Sequence, residues 1–133
     1  MAQGHLVGGC IESLQHLRGT RWWPNLEGAV LFVESSEDSL SPARLDAQLM
    51  DMENMGELAK ITGLIVAKPY RYTTQERLMV HDVLRSRLAK WSIPILADVD
   101  AGHTSPMLTL PIGCHVRLDS SLDGFDIVEA AVS

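Results

Sequence analysis

Three short apolar runs constrain this chain most: AVLFV (Ala29 to Val33), LIVA (Leu64 to Ala67) and PILA (Pro94 to Ala97). Runs that brief, with no polar residue in alternation, read as strands buried on both faces. Amphipathic helical patterns fill the spaces between them. Ser41 followed by Pro42 opens one, since a hydroxyl can accept from an orphan N–H and proline suits the first turn. Leu45, Leu49 and Met52 continue it at helical spacing, and Gly56 closes it. Thr73 and Glu76 are spaced as a capping box ahead of Val80, Leu84 and Leu88. Buried strands alternating with helices predict an α/β domain, a mainly parallel sheet with helices packed against it.

The two ends add to this. HLVGG (His5 to Gly9) is short and apolar, and Ile11, Leu14 and Leu17 then share one helical face, with Gly19 as a stop. TRWWPNLEG reads as a loop. The tail HVRLDSSLDGFDIVEA alternates apolar and polar residues around a glycine-containing turn, which predicts a hairpin forming a separate, small antiparallel layer. At 133 residues a single domain spanning 1–133 is expected, long enough for a substantial core.

The formal net charge of −6, with no basic block, argues against a nucleic-acid partner. No run approaches the roughly 18 apolar residues of a membrane span, so no membrane partner is expected. The start MAQGHLVGG has no positive n-region, and two distant cysteines suit a reducing compartment better than a disulfide scaffold. The expected location is cytoplasmic.

Chemistry is sought at the carboxyl ends of the strands, where ligands gather in parallel sheets. Glu34 directly follows AVLFV, and His103 comes shortly after PILA in the stretch DVDAGHTSPMLTLPIG. A carboxylate that accepts from one imidazole nitrogen orients the ring and leaves the other nitrogen free as a general base. No nucleophile completes the set. No serine stands in a G-x-S-x-G elbow. Ser35, Ser36, Ser39 and Ser41 are explained by a polar loop and helix capping, and Ser105 is too close in sequence to His103. Nothing basic beside Cys10 in the sequence activates its thiol.

Other readings stay open on the residues alone. His103 can be a turn residue and Glu34 a cap or salt-bridge partner. Asp98, Asp100 and His103 together resemble a metal-ligand pattern, although His5, His16, His81 and His115 show no ligand spacing. Trp22 and Trp23 read as a loop plug rather than a ligand platform.

The segments GHLVGGCIESLQHLRGT, GAVLFVE and PILADVDAGHTSPMLTLPIG together resemble the C-terminal domain of the LD-carboxypeptidase family of serine peptidases, nearest to its microcin C immunity branch. The likeness runs from Gly4 to about Glu129. It implies a swivelling β/β/α-type domain and a Ser-His-Glu triad that hydrolyses an amide bond. Glu34 then matches the family's glutamate and His103 its histidine. Substrates of the family are muropeptides, as in peptidoglycan recycling, and peptidyl- or aminoacyl-nucleotide antibiotics. No cofactor and no metal are implied.

Two departures stand out. GGC stands where the family often has GGN, which puts in doubt any polar contact at Cys10. The serine belongs to an N-terminal nucleophile domain that is absent from the sequence, so the chain alone is expected to be an inactive half of a hydrolase. The edge that carries Glu34 and His103 should then be open, with an apolar lining suited to a homodimer. The alternative is a non-catalytic module that binds a peptide or a nucleotide conjugate.

Overall fold

A computed structural model of the chain describes residues 1–36, 41–119 and 121–132. Ser39 lies outside them. In chain order the elements are β1 (Ala2–Cys10), α1 (Ile11–Gln15), β2 (Val30–Glu34), α2 (Pro42–Asn54), β3 (Gly63–Ala67), α3 (Thr74–Leu88), a 3₁₀ turn (Ala89–Trp91), β4 (Ile95–Val99), β5 (His115–Asp119) and β6 (Gly124–Ile127). One six-stranded sheet holds them in the order β4-β3-β2-β1-β5-β6. β1 to β4 pair in parallel, while β5 runs antiparallel to β1 and β6 to β5.

The α/β class and the mainly parallel sheet are therefore as expected. The tail does form an antiparallel hairpin, but not a separate layer: β1 joins it to the parallel part in one continuous sheet. The N-terminal half of β1 pairs with β5 through Ala2 to His5, and its C-terminal half pairs with β2 through Leu6 to Cys10. A nine-residue strand can serve both neighbours in this way, which a five-residue apolar run could not.

Two hydrophobic cores lie on opposite faces of the sheet. On the helix side, Leu31, Val33, Leu64 and Val66 meet Leu45, Leu49 and Met52 of α2 and Val80, Leu84 and Leu88 of α3. On the other side, Leu6, Val30, Phe32, Ile65 and Ala67 meet Val116 and Leu118 of β5, with Ala101 and Leu110. Successive strand residues alternate between these faces, so AVLFV is apolar throughout because both faces are covered. The sheet's two edge strands draw together: Leu96 to Val99 of β4 and Gly124 and Phe125 of β6 line one groove. The sheet is thus curled into a half-barrel around the second core.

The helices begin as their sequences dictate. Ser41 Oγ accepts from the Arg44 N–H ahead of α2. The box at α3 is complete, with Thr73 Oγ1 accepting from the Glu76 N–H and the Glu76 carboxylate accepting from the Thr73 N–H. Two details differ from expectation. Helix α1 stops at Gln15, and Leu17 lies in the following turn, exposed. β4 starts at Ile95 and is only half-buried, because it is an edge strand.

Arg87 of α3 clamps α2, donating to both Asp46 oxygens (2.5 and 2.9 Å). That hydrogen bonding holds the Asp46 carboxyl below its ordinary 3.8. A carboxyl depressed on folding contributes stability above its unfolded value and loses it as pH falls through the folded value. Replacing Arg87 with leucine should lower Tm at neutral pH, with the deficit shrinking through the acid range. A deficit independent of pH in a melting series would contradict the clamp. Leu64→Ala, which empties a fully buried place under α2 and α3, should cost about 2–5 kcal/mol in denaturant unfolding.

Candidate active site

Alternation along β2 aims Glu34. Val30 and Phe32 face the half-barrel interior, so Glu34, two residues further on, carries its carboxylate to that same side. The bare end of β1 lies beside it, with Cys10 opposite Glu34 in the register. Gly8 is required there: a Cβ on it would stand 1.8 Å from the Phe32 carbonyl oxygen.

The loop after β4 brings the imidazole. Val99 and Ala101 join the inner core, and the Ala101 N–H donates to the Val99 carbonyl (2.7 Å). Further on, the Leu108 N–H donates to the Asp100 carbonyl (2.7 Å), closing the loop on itself. His103 Nδ1 lies 3.4 Å from Glu34 Oε2, with the carboxylate largely covered and the ring more open. Glu34 Oε2 is buried and has no hydrogen-bond partner among the described residues. A buried carboxylate oxygen without a donor is costly, and the ring nitrogen is the group placed to offset it.

Gly102 explains why a glycine precedes this histidine. Its φ is +74°, and a Cβ there would fall 1.9 Å from Glu34 Oε2. Both the backbone conformation and the packing exclude a side chain. A shallow concavity of about 260 Å³ opens beside Glu34, lined by Gly9, Phe32, Glu34, Gly102, Met107 and Ile112 but not by His103. Met107, Leu108 and Ile112 form an exposed apolar lip.

On the far side of the loop is a second concavity, about 440 Å³, lined by Lys68, Tyr70, Arg71, Tyr72, Arg77 and Thr104 among others. Arg71 lies over the Tyr70 ring at 4.9 Å. The Tyr72 hydroxyl is pushed up to about 12 by burial and by the charges of Glu76 and Glu12, so it stays protonated at neutral pH. A third concavity, also about 440 Å³, follows the free edge of β4 between His81, Arg85 and Asp123 and holds neither Glu34 nor His103.

The metal pattern of Asp98, Asp100 and His103 is taken apart by the fold. Asp98 Oδ2 pairs with His81 Nε2 at 2.8 Å, Asp100 with Lys68 at 3.6 Å, and His103 with Glu34. Among the described residues no three His, Cys, Asp or Glu are grouped to hold a metal ion. The Cys10 thiol donates to the Glu12 carboxylate at 3.0 Å. Trp22 is exposed under Arg21, whereas Trp23 packs on the helix-side core. His81 had no signal in the sequence, because its partner is set by how α3 crosses β4. His5 and His115, directly opposite on β1 and β5, have ring centroids 3.8 Å apart.

Glu34 and His103 thus meet at the carboxyl edge of a mainly parallel sheet. The chain belongs to the family described as LD-carboxypeptidase C-terminal domain, which it matches over residues 3–118. It is 28% identical to the microcin C7 self-immunity protein MccF of Escherichia coli, over 98% of this chain and 38% of that protein. It is 27% identical to the "Probable murein peptide carboxypeptidase" of Bacillus subtilis, over 99% and 41%. MccF in complex with aspartyl sulfamoyl adenosine superposes with a TM-score of 0.83 at 26% identity, covering 99% of this chain and 39% of the other. An MccF-like protein from Streptococcus pneumoniae in complex with AMP gives 0.71 at 28% identity, covering 96% and 42%. A further MccF structure is of an active-site mutant in which a serine, an asparagine and a lysine are replaced by alanine. The chain spans about two-fifths of the length of these relatives. No helix among the described residues is long and apolar enough to cross a membrane.

Gly102→Ala should push the carboxylate and ring apart, from 3.4 Å to beyond the roughly 4 Å of an ion pair, and cost about 1–2 kcal/mol from the left-handed backbone alone. A crystal structure of the variant checks this. An alanine accommodated with the pair unmoved would show that the glycine is not what lets Glu34 and His103 meet.

Proposed function

We propose that Glu34 and His103 are the acid–base half of a Ser-His-Glu amide hydrolase, and that the serine is supplied by polypeptide beyond these 133 residues. The observation that carries this reading is the 3.4 Å approach of His103 Nδ1 to Glu34 Oε2, beside a glycine whose missing side chain leaves the Glu34 carboxylate its place. Glu34 accepts from the Nδ1–H and steadies the ring. Nε2 is then free to take the proton of an attacking hydroxyl and to return it to the leaving amine. Glu34 also stabilises the imidazolium formed between those steps.

The surroundings suit a substrate that carries an anionic group. The basin of Lys68, Arg71 and Arg77 offers cations to a carboxylate or a phosphate, and protonated Tyr72 offers a donor. Muropeptides and aminoacyl-nucleotide conjugates both meet that description. Relatives in complex with aspartyl sulfamoyl adenosine and with AMP favour the nucleotide conjugate. The apolar lip of Met107, Leu108 and Ile112 is a surface on which the serine-bearing part can rest, and a second copy of the chain would compete for it. Residues 1–133 alone should show no turnover. The reducing, cytoplasmic location belongs to the same reading.

The test joins residues 1–133 to the serine-bearing N-terminal part of the E. coli relative and follows cleavage of a peptidyl or aminoacyl nucleotide conjugate. Loss of the general base should cut kcat by about 10⁴–10⁶-fold in His103→Ala, and loss of the orienting carboxylate by about 10⁴-fold in Glu34→Gln. Turnover that survives His103→Ala would overturn the assignment. Ligand binding without turnover in the unmutated fusion would favour a binding module instead.

A further inference from the structure

We propose that Asp98 is a positioning residue for His103. It acts through the backbone of β4 rather than through contact with the ring, and the inference rests on the Glu34–His103 reading above. The observation is a register break. Ile65 of β3 pairs with Leu96 of β4, but Ala67 pairs with Val99. Two steps along β3 therefore match three along β4, so β4 carries one extra residue, a β-bulge.

The extra residue changes which face the chain presents. Ile95 and Ala97 pack on the helix-side core, and Leu96 packs in the half-barrel. Unbroken alternation would send Val99 and Ala101 to the helix side with Ile95 and Ala97. They instead lie in the half-barrel core, Ala101 almost completely buried. The bulge has inverted the alternation, and His103 leaves the strand from the inverted side, where Glu34 already points.

Asp98 is the residue that permits this. Its φ is +58°, in the left-handed region that aspartate tolerates and β-branched residues do not. Its carboxylate turns to the helix side, where His81 Nε2 of α3 meets Oδ2 at 2.8 Å. That contact ties the bulge to a helix seated on the other core. Asp98 and His81 touch neither Glu34 nor His103 in any contact described, so the effect of Asp98 on the site runs through its backbone and the direction of the strand, not through its carboxylate.

The tautomer of His103 reads this directly, since it is set by the bond the ring makes. Long-range ¹H–¹⁵N spectra of the full chain at mildly alkaline pH should show an Nδ1–H tautomer, lost in Glu34→Ala. Asp98→Gly keeps the left-handed freedom without the carboxylate and should retain that signature. Asp98→Val cannot adopt the conformation and should lose it, while amide resonances of the β5–β6 hairpin stay in place. If Asp98→Val does not fold, Asp98→Ala against Asp98→Gly makes the same comparison with a Cβ as the only difference. Retention of the Nδ1–H form in folded Asp98→Val or Asp98→Ala would overturn the proposal. So would its loss in Asp98→Gly. A wild-type tautomer unaffected by Glu34→Ala is a separate result, and it would sink the Glu34–His103 pairing itself.

Discussion

Because each face of a single sheet is buried against its own core, the direction of every side chain at the sheet's carboxyl edge is settled by parity. Leu31 and Val33 cannot leave the helix side without surrendering their contacts with α2 and α3, and Val30 and Phe32 are held as firmly in the half-barrel. Glu34 inherits the direction of Phe32. The carboxylate is thus aimed by apolar residues that take no part in chemistry. Moving it would mean slipping β2 by one residue and exchanging two cores.

The histidine reaches the same place by a different route. β4 is an edge strand, paired with β3 alone among the described residues, and an edge is where a bulge is least costly to the ladder. Once the alternation is inverted, Ala101 anchors the loop and Gly102 lets the backbone pass against the Glu34 carboxylate. The three acidic or basic groups of DVDAGH then have separate partners, on α3, at the end of β3 and at the end of β2. Separation of these charges keeps the imidazole facing one carboxylate rather than three.

Much of this could be read from the residues. AVLFV, LIVA and the capping box at Thr73 declared buried strands and a helix because local pattern and burial agree there. The convergence of Glu34 and His103 followed from the rule that ligands gather at the carboxyl ends of parallel strands. The bulge was not legible. Asp98 lies in a stretch of mixed polarity, and an extra residue leaves no mark on periodicity in a strand this short. The shared role of β1 was hidden because His5 to Gly9 looked like a complete short strand, while Ala2 to Gly4, which pair with β5, carry little apolar signal. Leu17 fitted a helical face but falls after the chain has already turned at His16.

The central claim is that an imidazole and a carboxylate work as one unit. A double-mutant cycle on turnover by the joined protein tests it most directly, with Glu34→Ala, His103→Ala and the pair of changes together. Groups that act together lose their effect together, so the double variant should be no slower than His103→Ala alone. If the two losses multiply instead, Glu34 and His103 contribute independently, and their meeting at the sheet edge is not the basis of the chemistry.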